Sequence, residues 1–492
     1  MMKLIQSTGL VLALVTGSFG LNAQGVSFTQ GGETATMSHK QSYLDNFHVG
    51  GNSYYVTSFM ESASMVYFME SFSDNGTTMI QNKLEIPVGV FNNSYSIDGV
   101  VGFGGQAYVL VEHLSKEAAK NTLSIRPVES TGKVSSTDTK LMEMAFEKVM
   151  NSGYYHSAVS PDRNLLAIAG QMPFMKDMPA KVKFAVYDQS LKTVSQTEVT
   201  LPGEDTKNKQ FEVVIGNDGS VYLIKRTMNK IGEIVLNAYQ VDMKSGSAKE
   251  YAIELAAPNY VYTYVTSVSP NNELIVAGTY YTRTTVTVGE KKATGIFYFS
   301  NKIKSERIMT DFPLDSPVDN LTARMILTNG NTIYLAAEQF KEERLDPPAS
   351  AAGTAASFDY HYNLIHKNEY VIGMDQDGKR KFQLNMAKNF TARDVDHQYT
   401  SAYFISGGKF TVVYNDEKVK YTTESGYNSL VPVLVQVTND GLMQPAVPFI
   451  DKLKLPYDQV LFTSKYVQSA NDQVNFLLFK NERSKFLKLI IK

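Results

Sequence analysis

The chain has 492 residues, a formal charge of −2, 43% hydrophobic and 20% charged residues, and neither cysteine nor tryptophan. With no block of five or six Lys or Arg and no interleaving of aromatic and basic residues, nucleic-acid binding has no electrostatic support. The absence of cysteine excludes disulfides, thiolate metal sites and a lipid anchor on an N-terminal Cys.

The first segment, MMKLIQSTGLVLALVTGSFGLNAQG, has a basic Lys3, an apolar stretch at residues 10–15 and small residues ending at Ala23. It reads as a secretory signal peptide over 1–23. The expected location is the periplasm or the cell exterior of a Gram-negative bacterium. No later apolar run reaches the length of a membrane-spanning helix.

Beyond it, one pattern recurs eight times: a small turn followed at once by a short apolar or β-branched run. It reads HVGGNSYYV, GFGGQAYVLV, SPDRNLLAIAG, GNDGSVYLIK, SPNNELIVAG, TNGNTIYLAA, SGGKFTVVYND and SANDQVNFLLF in chain order. Anchored on Gly51, Gly105, Arg163, Gly219, Asn272, Gly330, Gly408 and Asp472, the spacings are 54, 58, 56, 53, 58, 78 and 64 residues. Each interval holds four short strands. The fourth is clearest, with FEVVI, SVYLIK, EIVLNAYQV and SAKEYAIEL separated by turns that need positive φ. Only LSKEAAKN from Leu114 and LMEMAFEKVM from Leu141 have helical composition.

A repeat of this length and content predicts an all-β chain: a single β-propeller of about eight four-stranded blades over 24–492, with seven as the alternative. The C-terminal unit reads as two strands, NFLLFK and KFLKLIIK, and GVSFTQGGETATMS near the start supplies a strand that belongs to no complete unit. Pairing that N-terminal strand into the last blade would close the ring and remove exposed sheet edges. A set of unrelated β-sandwiches is the competing architecture.

The units SPDRNLLAIAG and SPNNELIVAG resemble the strand-turn-strand repeats of TolB-like and prolyl-peptidase-type propellers, within the broader WD40-like group. IYLAAEQF, YVIGMDQDGKRKFQLNMAK and GGKFTVVYND resemble uncharacterised secreted propeller proteins of Gram-negative bacteria, a likeness covering about the C-terminal third. It implies fold and secretion, and no activity. The enzyme branch fails on this sequence: there is no α/β-hydrolase domain and no Gly-x-Ser-x-Gly elbow. SFSDNGTTM departs from the sialidase Asp-box at Phe72 and Met79 and reads as a hairpin turn, as does DQDG from Asp375, which has Met386 where a calcium loop needs Glu. The glycines of VVGFGGQ lead into a strand and not a helix, so they serve a turn and not a phosphate.

Residues 341–366 form the one low-complexity excursion and predict a flexible loop, on the face that carries the connections between blades. Near it stand His361, His366 and Asp394. Imidazole and carboxylate suit a divalent metal, the only cofactor the sequence leaves open. The spacing of His361 to His366 fits neither a helical pair nor one face of a strand, and solvated loop histidines are the competing reading. The strands expected at the axis, YLDNFHV, YYHSAVS, FEVVI, VTSVS, ARMILT and SAYFIS, read as mostly apolar or hydroxylic, and His48 and His156, in first strands, form the axial pair that stands out.

Two functions follow. The first is a secreted scaffold binding a protein partner or small ligand through loops near 171–180, 281–293, 340–366 and 415–429. The second is a propeller hydrolase or lyase with a metal in the channel, with a glycan-binding module as a further variant. No catalytic motif is present. Alternating tyrosines, as in YVYTYV from Tyr260, are expected to pack between blades.

Overall fold

The computed structural model describes residues 26–35, 42–61, 64–86, 93–207, 209–283, 292–302, 308–345, 361–393, 400–421, 430–448, 460–480 and 483–491. The segment 1–23, Asp394 and the tip of the excursion, 346–360, lie outside them.

Alternation of period two, broken by turns, produces antiparallel strands almost throughout, gathered into eight four-stranded units. In chain order the blades span 42–84, 93–145, 154–204, 210–253, 259–319, 321–386, 402–448 and 460–491. The first strand of each blade adjoins the first strand of the next, and that of blade 8 lies against that of blade 1. Blades 4 and 5 also share a backbone pair, Ile234 with Val261. This is a β-propeller. Blade 8 contributes three C-terminal strands, one more than the sequence suggested, and takes its fourth from Val26–Ala35, which runs antiparallel to Arg483–Ile491.

Eight apolar clusters fill the eight interfaces between successive blades, the last joining Val467, Leu477 and Phe486 of blade 8 to Tyr55 and Phe72 of blade 1. The second strand of a blade is covered on both faces. Leu166 and Ile168 face blade 2 while Ala167 and Ala169 face blade 4, so the sequence there is a continuous apolar run instead of an alternation. Of the alternating tyrosines in YVYTYV, Tyr262 packs against the cluster between blades 5 and 6 and Tyr264 against that between blades 4 and 5, as expected; elsewhere Tyr222 Oη donates to the Asn272 carbonyl at 2.6 Å and Tyr466 Oη to the Tyr403 carbonyl at 2.8 Å.

The repeated turns lie together on one face. Seven of the eight anchors, Gly51 to Gly408, have positive φ, including Arg163 (59°) and Asn272 (63°), which hold the left-handed position without being glycine. The turns are stitched to one another. Gly104 N donates to the Arg163 carbonyl at 2.9 Å, Asp162 N to Asn217 Oδ1 at 3.0 Å, Asn217 N to Asn272 Oδ1 at 2.8 Å, and Asn329 Nδ2 to the Gly408 carbonyl at 2.7 Å.

Two expectations are corrected. Leu114 and Ser115 end one strand, Ala119 takes positive φ, and Lys120 starts the next, so LSKEAAKN is a hairpin turn. LMEMA is the outer strand Thr139–Ala145, followed only by a short 3-10 turn, Val149–Asn151. In both, pairing with a neighbouring strand overrides helix propensity. The excursion is also shorter than read. The strands extend to Leu345 and resume at His361, and Phe390–Arg393 adds a third to this arm. Among the described residues no helix is long and apolar enough to cross a membrane.

Candidate functional site

A cavity of about 350 Å³ opens between the first strands of blades 2 and 3 (Asn93–Phe103 and Tyr154–Val159). It is lined by Asp98 to Gly102 and Ser157 to Val159, with Val56 and Tyr67 of blade 1 and Arg163 of the blade 3 turn. Asp98 enters it because of a β-bulge. Ile97 pairs with Val111 and Gly99 with Leu110, which leaves Asp98 without an opposite residue and re-aims its side chain. The same irregularity recurs in the first strands of blades 5 and 6, at Tyr262 and Arg324.

Asp98 is solvent-accessible within the cavity, yet enclosure by the surrounding blades pushes its carboxyl up to about 7, and the nearby charge of Glu112 adds to the rise. Glu112 is itself held by Asn121 Nδ2 at 2.6 Å. Tyr67 Oη donates to the Ile97 carbonyl at 2.9 Å, and Arg163 Nη1 to the Gly102 carbonyl at 2.8 Å with its guanidinium 5.6 Å from the Phe47 ring. Gly102 is required for this wall, since a Cβ there would stand 2.1 Å from Phe47. The cavity thus presents a carboxyl poised between its two protonation states, with hydroxyl and cationic groups fixed around it. Such a group binds a polar ligand or exchanges a proton near neutral pH.

Asp98 was not singled out in the sequence. The available signal was the Asp-Gly pair inside SYSIDGVVGF, because glycine within a strand marks a bulge. Ionisable side chains other than the two histidines also stand in first strands, at Asp98, Glu212 and Arg324. Glu212 accepts a hydrogen bond from the Thr266 hydroxyl of blade 5, and burial raises its carboxyl. The two histidines sit at opposite ends of their strands. His48 lies by its turn, 3.3 Å from Ser53 Oγ and 3.7 Å from Asp74 Oδ1; His156 packs edge-on against Phe211 of blade 4. Burial lowers both imidazoles.

Of the proposed metal ligands, His361 begins the returning strand of the arm opposite Leu345, and Asp394 lies outside the described residues. His366 is not a solvated loop residue. It is fully buried at the base of the arm, stacked on Phe390 with centroids 4.6 Å apart, and its Nδ1 is 2.6 Å from Glu338 Oε1. Its partner is occupied by cations already. Lys388 Nζ donates to Glu338 Oε1 at 2.7 Å and to Glu369 Oε1 at 2.5 Å, while Arg324 grips Glu338 Oε2 through Nε at 2.9 Å and Nη2 at 2.8 Å. Tyr403 Oη closes the set on Glu369 Oε2 at 2.7 Å. Lys388 and Arg324 hold Glu338 well below the usual carboxylate range against its burial, whereas burial dominates at Glu369 and raises it. Among the described residues no group of three His, Asp or Glu is placed to hold a metal ion.

No family model matches the chain, and no curated protein matches it in sequence. Among solved structures it is similar to Sqt1 from Chaetomium thermophilum, at 10% identity over 95% of this chain and 98% of that one, with a TM-score of 0.40. It is similar also to the periplasmic gluconolactonase of Pseudomonas aeruginosa (14%; 75% and 92%; 0.32) and to the β-propeller domain of the Trilobed protease from Pyrococcus furiosus (9%; 73% and 98%; 0.31). Superposition at this level carries no functional information, and the propeller assignment rests on the strand order and the eight interfaces.

Proposed function

We propose that this protein is a secreted propeller of the cell envelope that binds a small polar ligand in the cavity at Asp98. The observation that carries the reading is the bulged Asp98 carboxyl, accessible, titrating near 7 and ringed by Tyr67, Ser157 and Arg163. Pockets of this volume with a few convergent polar groups are typical of small-molecule sites. The signal-peptide pattern of residues 1–23 supports export, and the connections between second and third strands, among them 172–178 and the described residues 418–421, emerge on the face where blades are joined, as a contact surface would require.

A propeller hydrolase or lyase is the second reading, favoured by the same carboxyl, whose pKa suits a general acid or base without a metal. Calorimetric titration of the parent and Asp98→Asn with hydroxylated, amino and carboxylate compounds, at pH 6 and pH 8, tests the first. Binding that is saturable, weakened by the substitution and different at the two pH values supports it. Equal binding by both proteins overturns it, and turnover of a bound compound that the substitution abolishes would select the enzyme.

A further inference from the structure

A second cavity, of about 180 Å³, opens at the base of the arm, where the chain passes from the last strand of blade 5 (Ile308–Asp319) to the first of blade 6 (Leu321–Asn329). Its lining is Asp319 and Asn320 from that passage, Gln339 and Lys341 from the outgoing strand of the arm, and Ile365 and Lys367 from the returning one. Two backbone irregularities bring these residues together. Asn320 alone connects the two blades, in the left-handed conformation (φ 52°), and its carbonyl accepts from Phe340 N at 3.0 Å, which ties the passage to the arm. In the arm, Glu338 lies opposite Glu369 and Phe340 opposite His366, so the single Gln339 faces both Lys367 and Asn368. A bulge of this kind re-aims a side chain, here that of Lys367. Lys341 stands directly opposite Ile365, on the face of the arm away from the buried His366.

We propose that this cavity binds a compact hydroxylated anion, its phosphate or carboxylate group held between Lys341 and Lys367 and its hydroxyls at Asp319, Asn320 and Gln339. The local charges leave room for an anion. Asp319 Oδ1 is 3.0 Å from Lys292 Nζ and is thereby neutralised, and Lys341 Nζ is 3.2 Å from Glu343 Oε1 in a pair exposed enough to exchange partners at little cost. Lys367 has no ion pair among the described residues, so three ammonium groups face two carboxylates. An ammonium is a compact point charge suited to phosphate and carboxylate oxygens, whereas an ionised carboxylate only accepts and therefore takes a hydroxyl. The two carboxamides donate and accept, and Ile365 supplies one apolar wall. The volume equals that of about six waters at about 30 Å³ each, room for glycerol phosphate or glycerate and not for a sugar chain. The site lies on blades 5 and 6, apart from the Asp98 cavity, and does not depend on it.

The test is calorimetric titration of the purified protein with glycerol phosphate and with glycerate, with glycerol and inorganic phosphate as controls. One equivalent of either hydroxylated anion should saturate, glycerol should not bind, and inorganic phosphate should bind more weakly than glycerol phosphate. Whichever of the two anions binds tighter identifies the charged group the site takes. Lys341→Gln with Lys367→Gln should weaken binding by about tenfold or more, while Lys341→Arg with Lys367→Arg keeps the charge and should retain most of it. Asp98→Asn should bind as the parent does, which separates this site from the cavity between blades 2 and 3. The proposal is overturned if neither anion saturates, if the glutamine variant binds as the parent does, if glycerol or inorganic phosphate binds as tightly as glycerol phosphate, or if Asp98→Asn removes the binding.

Discussion

The interface between blades 3 and 4 and that between blades 6 and 7 occupy equivalent places in the ring and differ in their materials. The first is mainly apolar, Val182, Phe184, Val186 and Val199 meeting Phe211, Val213, Leu223 and Tyr239, with a buried Lys209–Asp205 ion pair at its edge. The second is apolar near the turns, where Tyr334 stacks on Phe410 at 4.7 Å, and ionic toward the arm, where Lys388 sits with no exposed surface between Glu338 and Glu369. Apolar packing tolerates partial loss. A buried ion set does not, because removing one member strands the others without water. The repeat therefore dictates that an interface exists and leaves its chemistry free, and a propeller can replace oil with charge wherever every charge finds its partner.

Breaking the ionic interface should have the largest effect. Lys388→Met leaves Glu369 without its cation and should lower unfolding free energy by about 3–5 kcal/mol, read by urea denaturation. Adding Glu369→Gln to that variant should restore part of the loss, since the two sites are in contact and their effects are not additive. If the single variant unfolds like the parent, the ion set contributes nothing and the contrast between interfaces disappears. In the apolar interface, Leu223→Ala should cost about 3 kcal/mol, with Leu223→Met costing under about 1.5 kcal/mol. A graded response here beside an all-or-none response at Lys388 would sharpen the comparison.

Smaller effects belong to joints that are neither apolar nor ionic. Asn272→Ala removes the bond to Asn217 N and should cost about 1 kcal/mol. At the cavity, Asp98 has a folded carboxyl raised from 3.8 to about 7, so the fold favours its protonated form. That contribution is complete below pH 4 and is lost as pH rises through 7. Asp98→Asn should melt with the parent at pH 4 and above it at pH 8. Parallel melting curves across that range would show that Asp98 is not enclosed as described.

The same contrast explains what could be read in the sequence. Blade 4 was legible strand by strand, because FEVVI, SVYLIK and EIVLNAYQV alternate or run apolar between turns that need positive φ, and those turns took the left-handed conformation. The arm was not, because Lys341, Glu342, Glu343 and His366 carry a solvated composition although the last is buried. Polarity in a strand cannot say whether its partner is water or a residue fifty positions away, as Lys388 is from Glu338. The cavity was missed for another reason. A bulge shifts one residue out of register, and in Ile97-Asp98-Gly99 only the glycine hints at it.

The pairing of the N-terminal strand with the C-terminal one has a consequence for how the protein is made. Val26 lies opposite Ile491, 465 positions further along the chain, and the ladder continues to Ala35 and Arg483. The first described strand to leave the ribosome thus finds its partner only after the last has followed. Seven blades can pack one upon another as they emerge, while the eighth must wait with an open edge on each side. Completion of the ring is coupled to completion of synthesis, and a chain arrested before Arg483 would present that edge to whatever strand its surroundings offer.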